Sequence, residues 1–475
     1  MRSLLFFRIA ICSVLLLFLS GCAAGYSSYV SRSLNQLRQG NYAEALNRLE
    51  KPNGKTNMLL YRMERGLIFH YQGLYAQSNA EFERAERLID RLYTRSVSRE
   101  AAAFLTNDAI VAYRGEGFER VFIHYYRALN YERLGDRQAV LVECRKANLK
   151  LASYAQKAEY QLSYKNDAFM QYATGLFFDS EGEWNDAYIS YKDAEKGYCA
   201  YREAFGISIP RMLHVDLVRV AQKLGYSDEV RLYTERYRLR PEELQPPPNG
   251  EVIVFIESGF VPRKQQNEMS IPILKDDRGD AIWTISERAV DRYNNHYVYH
   301  NYAVDYWLSL ALPHYKTASL PLGTVRLRNG QNSTMGVLAE DLDVIARRTL
   351  EQKLDHILLR TVARATAKYL ASKSIEKTIA NAGDDEDDRV FNEGLGELMG
   401  GLFNLLGNAT EAADTRGWLS LPRTVYIARL PTGGDLASLQ IEVLDPQGRV
   451  IHTQDLLPVE QAEGDKTFLS TRVFR

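Results

Sequence analysis

The chain has 475 residues and a mass of 54.2 kDa, with 45% hydrophobic and 25% charged residues, a globular balance that excludes wholesale disorder and leaves room for roughly two to four domains. Lys and Arg total 59 and Asp and Glu 60, a net charge of −1. No basic excess exists to neutralise phosphates, which argues against nucleic acid as the partner. Of 30 tyrosines, 22 lie before residue 240, whereas of 14 prolines only Pro52 and Pro210 do. This division predicts a tyrosine-rich helical half followed by a mixed half.

Residues 1–21 read as a secretory signal: Arg2 and Arg8 carry charge, and an apolar run too short to span a bilayer ends in small residues. Leu19-Ser20-Gly21-Cys22 has the spacing of a bacterial lipobox, in which the cysteine thiol takes a diacylglycerol and becomes the new N-terminus. Several acyl chains, at about 0.8 kcal/mol per buried methylene, make a stable anchor. Ala23 rather than Asp follows Cys22, which by enterobacterial sorting rules implies the outer membrane. Residues 22–33 are then expected to be a lipidated polar tether. Beyond Cys12 and Cys22, only Cys144 and Cys199 remain. An oxidising periplasm permits a disulfide between them, and buried apolar packing is the alternative.

Residues 34–240 carry repeats. Gly73 joins two helical patterns, with Gly66 seven residues before it and Phe82 and Ala85 nine and twelve after it. Around Gly182 the same offsets hold Gly175, Tyr191 and Ala194; around Gly135 they hold Ala128 and Ala147. Gly40 opens a further copy and Gly225 a degenerate one. Small residues where paired helices touch and aromatics in the gaps form the tetratricopeptide pattern. The turn glycines are unevenly spaced, so the expected solenoid is irregular. Its concave face suits a partner's peptide or helix.

Arg240-Pro241 and the prolines at 246–248 predict a linker over 241–250. The remainder, 251–475, reads as an α+β domain. Strands are expected at 251–257, 270–274, 281–286, 324–328, 423–430, 438–444, 449–454 and 467–473. Helices are expected at 287–304 and about 339–381. Asp445-Pro446-Gln447-Gly448 predicts a C-terminal hairpin, its sheet shared with 251–257. The long helix buries one leucine-rich face, and its other side carries Arg347, Arg348, Lys353, Arg360, Arg364 and Lys368. That basic face is read as solvated, with acidic headgroups or a partner as alternatives. Asp384–Asp388 is read as a solvated acidic loop, and the glycine-rich Gly394–Gly407 as a short amphipathic helix or an apolar contact.

No catalytic fingerprint is present. His296 and His300 sit one helical turn apart, but Tyr297 stands where a metalloprotease motif needs glutamate. Neither a metal, another cofactor nor a catalytic residue is expected, so the chain is not read as an enzyme.

The lipobox, the helix pairs, Ser258-Gly259-Phe260-Val261-Pro262 and Ala413-Asp414-Thr415-Arg416-Gly417-Trp418-Leu419-Ser420-Leu421-Pro422 together resemble a poorly characterised family of proteobacterial outer-membrane lipoproteins with tetratricopeptide-like repeats. The resemblance implies a protein-binding scaffold in cell-envelope assembly or regulation. It would be lipid-anchored, face the periplasm and partner other envelope proteins, including outer-membrane lipoproteins. A cell-wall-metabolism enzyme and an accessory subunit of a secretion or surface structure are the alternatives. Within the last segment, Asp414, Arg416 and Trp418 are the candidate interaction residues, Trp418 also serving as a packing anchor.

Overall fold

The computed structural model describes residues 25–94, 111–157, 164, 166–275, 281–283, 303–316, 323–380, 412–432, 436–456 and 466–474. Cys22, His296, His300, the acidic run at 384–388 and the glycine-rich 394–407 lie outside them.

Successive helices come in pairs: α1 (Tyr26–Arg38) with α2 (Tyr42–Asn47), α3 (Met58–Tyr71) with α4 (Tyr75–Thr94), α5 (Gly117–Arg133) with α6 (Arg137–Lys157), α7 (Ala168–Ser180) with α8 (Trp184–Phe205), and α9 (Arg211–Lys223) with α10 (Ser227–Tyr237). One device closes all five pairs. Gly40, Gly73, Gly135, Gly182 and Gly225 have φ between +72° and +79°. In each case the next amide reaches back five residues, as in Leu74 N to the Phe69 carbonyl and Glu183 N to the Phe178 carbonyl, both 2.9 Å. This is the Schellman closure, which needs a residue that tolerates the left-handed region.

Within a pair, a second glycine admits an aromatic ring. A Cβ on Gly66 would lie 2.7 Å from Phe82, and one on Gly175 would lie 2.4 Å from Tyr191. Both rings, with Ala85, Ala147 and Ala194, are buried in the core. Cys144 on α6 and Cys199 on α8 are free thiols, so the disulfide alternative falls; burial pushes the Cys144 thiol up to about 12.

The expected tether is structured from Tyr26 onward: α1 packs Tyr26, Val30, Leu34 and Leu37 into the core. Apolar spacing on the first turns decides this, because burial repays ordering the chain.

Eleven strands among the described residues form three sheets. The first has the order β11-β1-β8-β7, with β1 (Glu251–Ser258) parallel to β11 (Lys466–Val473) and antiparallel to β8 (Thr424–Pro431), and β8 antiparallel to β7 (Val337–Asp341). The second runs β10 (Val450–Asp455), β9 (Leu439–Leu444), β5 (Val325–Asn329), β6 (Asn332–Met335). The third runs β3 (Ala281–Trp283), β2 (Lys264–Lys275), β4 (Ala303–Tyr315). The expected hairpin at Asp445–Gly448 therefore belongs to the second sheet rather than joining β1. Residues 303 and 304, expected in a helix, begin β4. The long helix, α12 (Leu342–Ala380), packs Ala365 and Tyr369 against Ile273, Leu308 and Leu310 of the third sheet.

All eight residues of β1 are buried. Ile253 and Phe255 face the helices, where Phe255 meets Tyr125, Phe169 and Phe177. Val252, Val254 and Ile256 face the second sheet's Val325, Leu327, Ile441 and Val443. A single apolar core thus runs from the helix pairs into the first sheet. Ion pairs cross the same boundary. Arg429 on β8 donates to both Asp216 oxygens on α9, at 2.9 and 2.7 Å, and to Tyr172 Oη at 3.0 Å. Lys466 on β11 meets Asp179 on α7 at 2.7 Å.

Residues 241–250 are correspondingly held. A short helix, α11 (Pro241–Leu244), receives Arg211 on both Glu243 oxygens at 2.7 and 2.9 Å, and Arg219 caps the carbonyls of Glu243, Leu244 and Gln245. An independent linker between separable halves is therefore replaced by a pinned crossing over a shared core. We predict one cooperative thermal transition, coincident by near- and far-ultraviolet circular dichroism, with proteinase K sparing 241–250. Arg429→Ala strands the buried Asp216 charge and should lower stability by about 3–5 kcal/mol while keeping that single transition. Two separated transitions would contradict the shared core.

A candidate binding cleft and the segment beside it

The segment from Ala413 to Leu421 lies along the first faces of α3 and α5. Two buried glutamates hold its backbone. Glu119 accepts the Trp418 amide at 2.7 Å, and Glu64 accepts the Leu419 and Ser420 amides at 2.9 and 3.2 Å. The Trp418 indole lies between Phe82 and Tyr126, tilted 60° and 62° to their rings with centroids 5.7 and 6.1 Å away, and donates to Ser420 Oγ at 3.0 Å. Arg416 forks onto Asp414 at 2.8 and 2.7 Å, reaches the Val111 carbonyl at 2.9 Å and lies over the Tyr113 ring.

The helix pairs thus grip a peptide belonging to their own chain, so the expected open groove is filled at this place. Trp418 is fully buried and cannot meet a partner; Arg416 is 6% exposed and committed internally. Only Asp414, at 30% side-chain exposure, keeps a solvent edge. The three candidate interaction residues are close together, as their sequence proximity requires, but they fasten the fold. Packing decides this, because a ring the size of indole seated between aromatics gains more from burial than from exposure at a rim.

Burial pushes the Glu64 carboxyl up to about 7, against the hydrogen bonds from residues 419 and 420 that favour its charge. Burial, then the neighbouring Glu116 charge, also raises Glu119. A carboxyl raised in the folded state holds a proton that the unfolded chain releases. Its contribution is full below its ordinary value near 4.5 and is lost as pH rises to about 7. Glu64→Gln removes that dependence. We predict that between about pH 5 and pH 8 the wild type loses up to about 3 kcal/mol relative to this variant in urea titrations. A constant offset across that range would show that Glu64 does not titrate.

Next to Arg416 opens a cleft of about 530 Å³. Its walls come from residues 111–116 before α5, the start of β2, the end of β4, the third to seventh turns of α12 and residues 412–416. Glu116 receives Lys264 Nζ at 2.7 Å on one oxygen and Lys353 Nζ at 2.6 Å on the other. Burial would push that carboxyl up, but the two ammoniums hold it well below the usual carboxylate range. Burial would likewise lower Lys264, yet Glu116 keeps its ammonium firmly charged. Arg114, Arg360, Arg364 and Arg416 complete a lining of six cations against two carboxylates, Glu116 and Asp414. Ala311, Pro313, Leu350 and Ile357 supply apolar wall.

Lys353, Arg360 and Arg364 are half of the basic set noted on the long helix. Their periodicity marks one face, but solvent was the expected occupant; instead Arg364 is 2% exposed. Arg114 and Glu116 carry no sequence signal linking them to Lys264, which lies 148 residues beyond Glu116 in the chain. The remaining repeat positions, Gly40, Gly66, Gly73, Phe82, Ala85, Gly135, Ala147, Gly175, Gly182, Tyr191 and Ala194, serve turns and helix contacts away from this cleft.

A second polar cluster, Glu86, His124 and Glu143, brings three ligand-type atoms within 4.8 Å of one another. Arg127 already occupies it, at 2.6 Å from Glu86 and 3.1 Å from Glu143. The guanidinium supplies the positive charge that a metal would bring, so the arrangement is an ion-pair knot.

No family model and no curated protein matches the chain. Among solved structures it is similar to MamA of AMB-1, at 13% identity over 44% of this chain and 88% of that one, with a TM-score of 0.27. It is also similar to BtubC from P. vanneervenii, at 12% identity over 44% of this chain and 76% of that one, with a TM-score of 0.29. Likenesses of that size carry no functional argument.

Proposed function

We propose that the protein is an outer-membrane-anchored periplasmic lipoprotein acting as a protein-binding scaffold in cell-envelope assembly or regulation. In this reading, residues 34–240 are a tetratricopeptide-like solenoid, residues 251–475 are an α+β domain packed on it, and Cys22 carries the acyl chains. No helix of the described residues is long and apolar enough to cross a membrane, which accords with attachment through lipid.

The observation that carries the reading is the position of α1. It starts at Tyr26, four residues after Cys22, and is packed into the core. Four extended residues reach at most about 14 Å. An acyl chain on Cys22 would therefore hold the folded body directly at the bilayer surface, presenting its helices to neighbours there.

Because the groove over α3 and α5 is filled by the chain itself, a partner must use another face. The second helices of three successive pairs are linked in turn by Arg145–Asp186 at 3.5 Å and Lys192–Glu229 at 3.7 Å. They expose Leu149 (71%), Ile189 (58%) and Leu232 (55%). Apolar side chains among paired charges suit a protein partner.

Two measurements test this. Cys22→Ser should abolish fatty-acid labelling and leave the signal uncleaved; unchanged labelling would remove the anchor. Leu149→Asp with Ile189→Asp should leave the melting temperature within about 2 °C, since exposed positions rarely exceed ±0.5 kcal/mol. The same pair should lose the envelope protein that crosslinks to the wild type in membranes. Retained crosslinking would place the partner elsewhere.

A further inference from the structure

We infer that the first helix pair and the turn after it form a cationic face that docks on an anionic phospholipid surface. This deepens the scaffold reading and rests on its lipid anchor at Cys22.

Charge and placement carry the argument. Residues 26–57 hold Arg32, Arg38, Arg48, Lys51 and Lys55 against Glu44 and Glu50, a positive balance in a chain whose total is −1. All five cations are exposed, and α1 has no acidic residue. Arg48 is taken by Glu44 at 2.6 Å. The side chains of Arg32, Lys51 and Lys55 make no ion pair or hydrogen bond among the described residues. These three lie together. The Tyr29 hydroxyl donates to the Lys51 carbonyl, which sets Lys51 beside the start of α1. Arg32 is one helical turn on from Tyr29, and Lys55 follows Lys51 across the Gly54 turn. The neighbouring surface does not cancel this charge: Arg62, Arg65 and Arg84 share the single carboxylate of Glu81, at 2.8, 3.8 and 3.0 Å.

The tether selects the bilayer as the surface that this face meets. Four extended residues between Cys22 and Tyr26 reach at most about 14 Å, and Arg32 is only about 9 Å of helix rise beyond Tyr26. Attraction between exposed charges persists over about 8 Å at physiological salt. The first turns of α1 are therefore the part of the body on which headgroup charge acts most strongly. Each basic residue held at an anionic surface strengthens binding about fivefold. The acyl chains fix the protein to the membrane, and the cationic face decides which side of the body lies against it.

Lipidated protein would be reconstituted into phosphatidylcholine vesicles with and without phosphatidylglycerol, and its amines labelled and mapped by mass spectrometry. Lys51 and Lys55 should label at least about fivefold more slowly on the anionic vesicles, and high salt should remove the difference. Lys196 on α8, with 71% of its side chain exposed, should label alike on both. Arg32→Glu with Lys51→Glu should abolish the protection of Lys55 and leave the melting temperature unchanged, since both positions are exposed. A second arm sediments the mature-length chain carrying Cys22→Ser, which has no acyl group, with the same vesicles. It should bind only the anionic ones, at least about tenfold more weakly with the two charge reversals. An unmodified Cys22 in the first arm overturns the anchor, and sedimentation then decides the face by itself. Equal labelling of Lys51 and Lys55 on both vesicle types, or sedimentation indifferent to phosphatidylglycerol, overturns the proposal while leaving an acylated Cys22 intact.

Discussion

The burial of β1 on both faces is the constraint on which the rest of the architecture depends. A strand has two faces, and Val252–Ile256 is apolar on each. One face must be covered by aromatic residues from α5 and α7, the other by the second sheet. At about 25 cal/mol per Å² of apolar surface, neither covering can be given up without a large loss. The polar ends of the strand obey the same rule: Glu257, fully buried, accepts from Tyr126 at 3.0 Å and from Tyr71, with Arg472 of β11 alongside. Helices and sheets are in this way parts of one core.

That continuity explains why the helical array keeps so little of its inner surface for others. The chain returns after α12 and lays residues 413–421 against α3 and α5, where a buried glutamate from each helix meets the backbone amides. Buried carboxylates are expensive without donors, and amides are expensive without acceptors. Each satisfies the other, and Trp418 seals the contact between Phe82 and Tyr126. In the proposed scaffold reading, recognition therefore falls to the outward second helices.

The cleft is a by-product of the same docking with its own electrostatic character. Where α12, β2 and the residues before α5 converge, cations from four distant stretches meet two carboxylates. The overall balance that argues against nucleic acid is silent about local fields.

Much of the helical half was legible because its signals are local. A left-handed closure requires glycine at the turn, and helix contact requires a small residue facing a ring, so Gly73, Gly182, Gly66 and Gly175 announce themselves by spacing alone. Strand positions were readable for the same reason: β-branched and aromatic runs at 251–257, 423–430 and 467–473 mark extended backbone whatever it pairs with. What they pair with was not readable. Parallel pairing of β1 with β11 joins residues about 215 positions apart by register, and the hairpin's choice of the second sheet depends on which apolar faces remain uncovered. Likewise Trp418 reads as a packing anchor, with a hot spot as the alternative, until the groove that receives it exists, and Arg364 of α12 reads as solvated until the surrounding elements bury it. Periodicity and turn chemistry act over a few residues and are written in the chain; burial and electrostatic context arise from elements that meet only after folding, and the tertiary structure alone decides them.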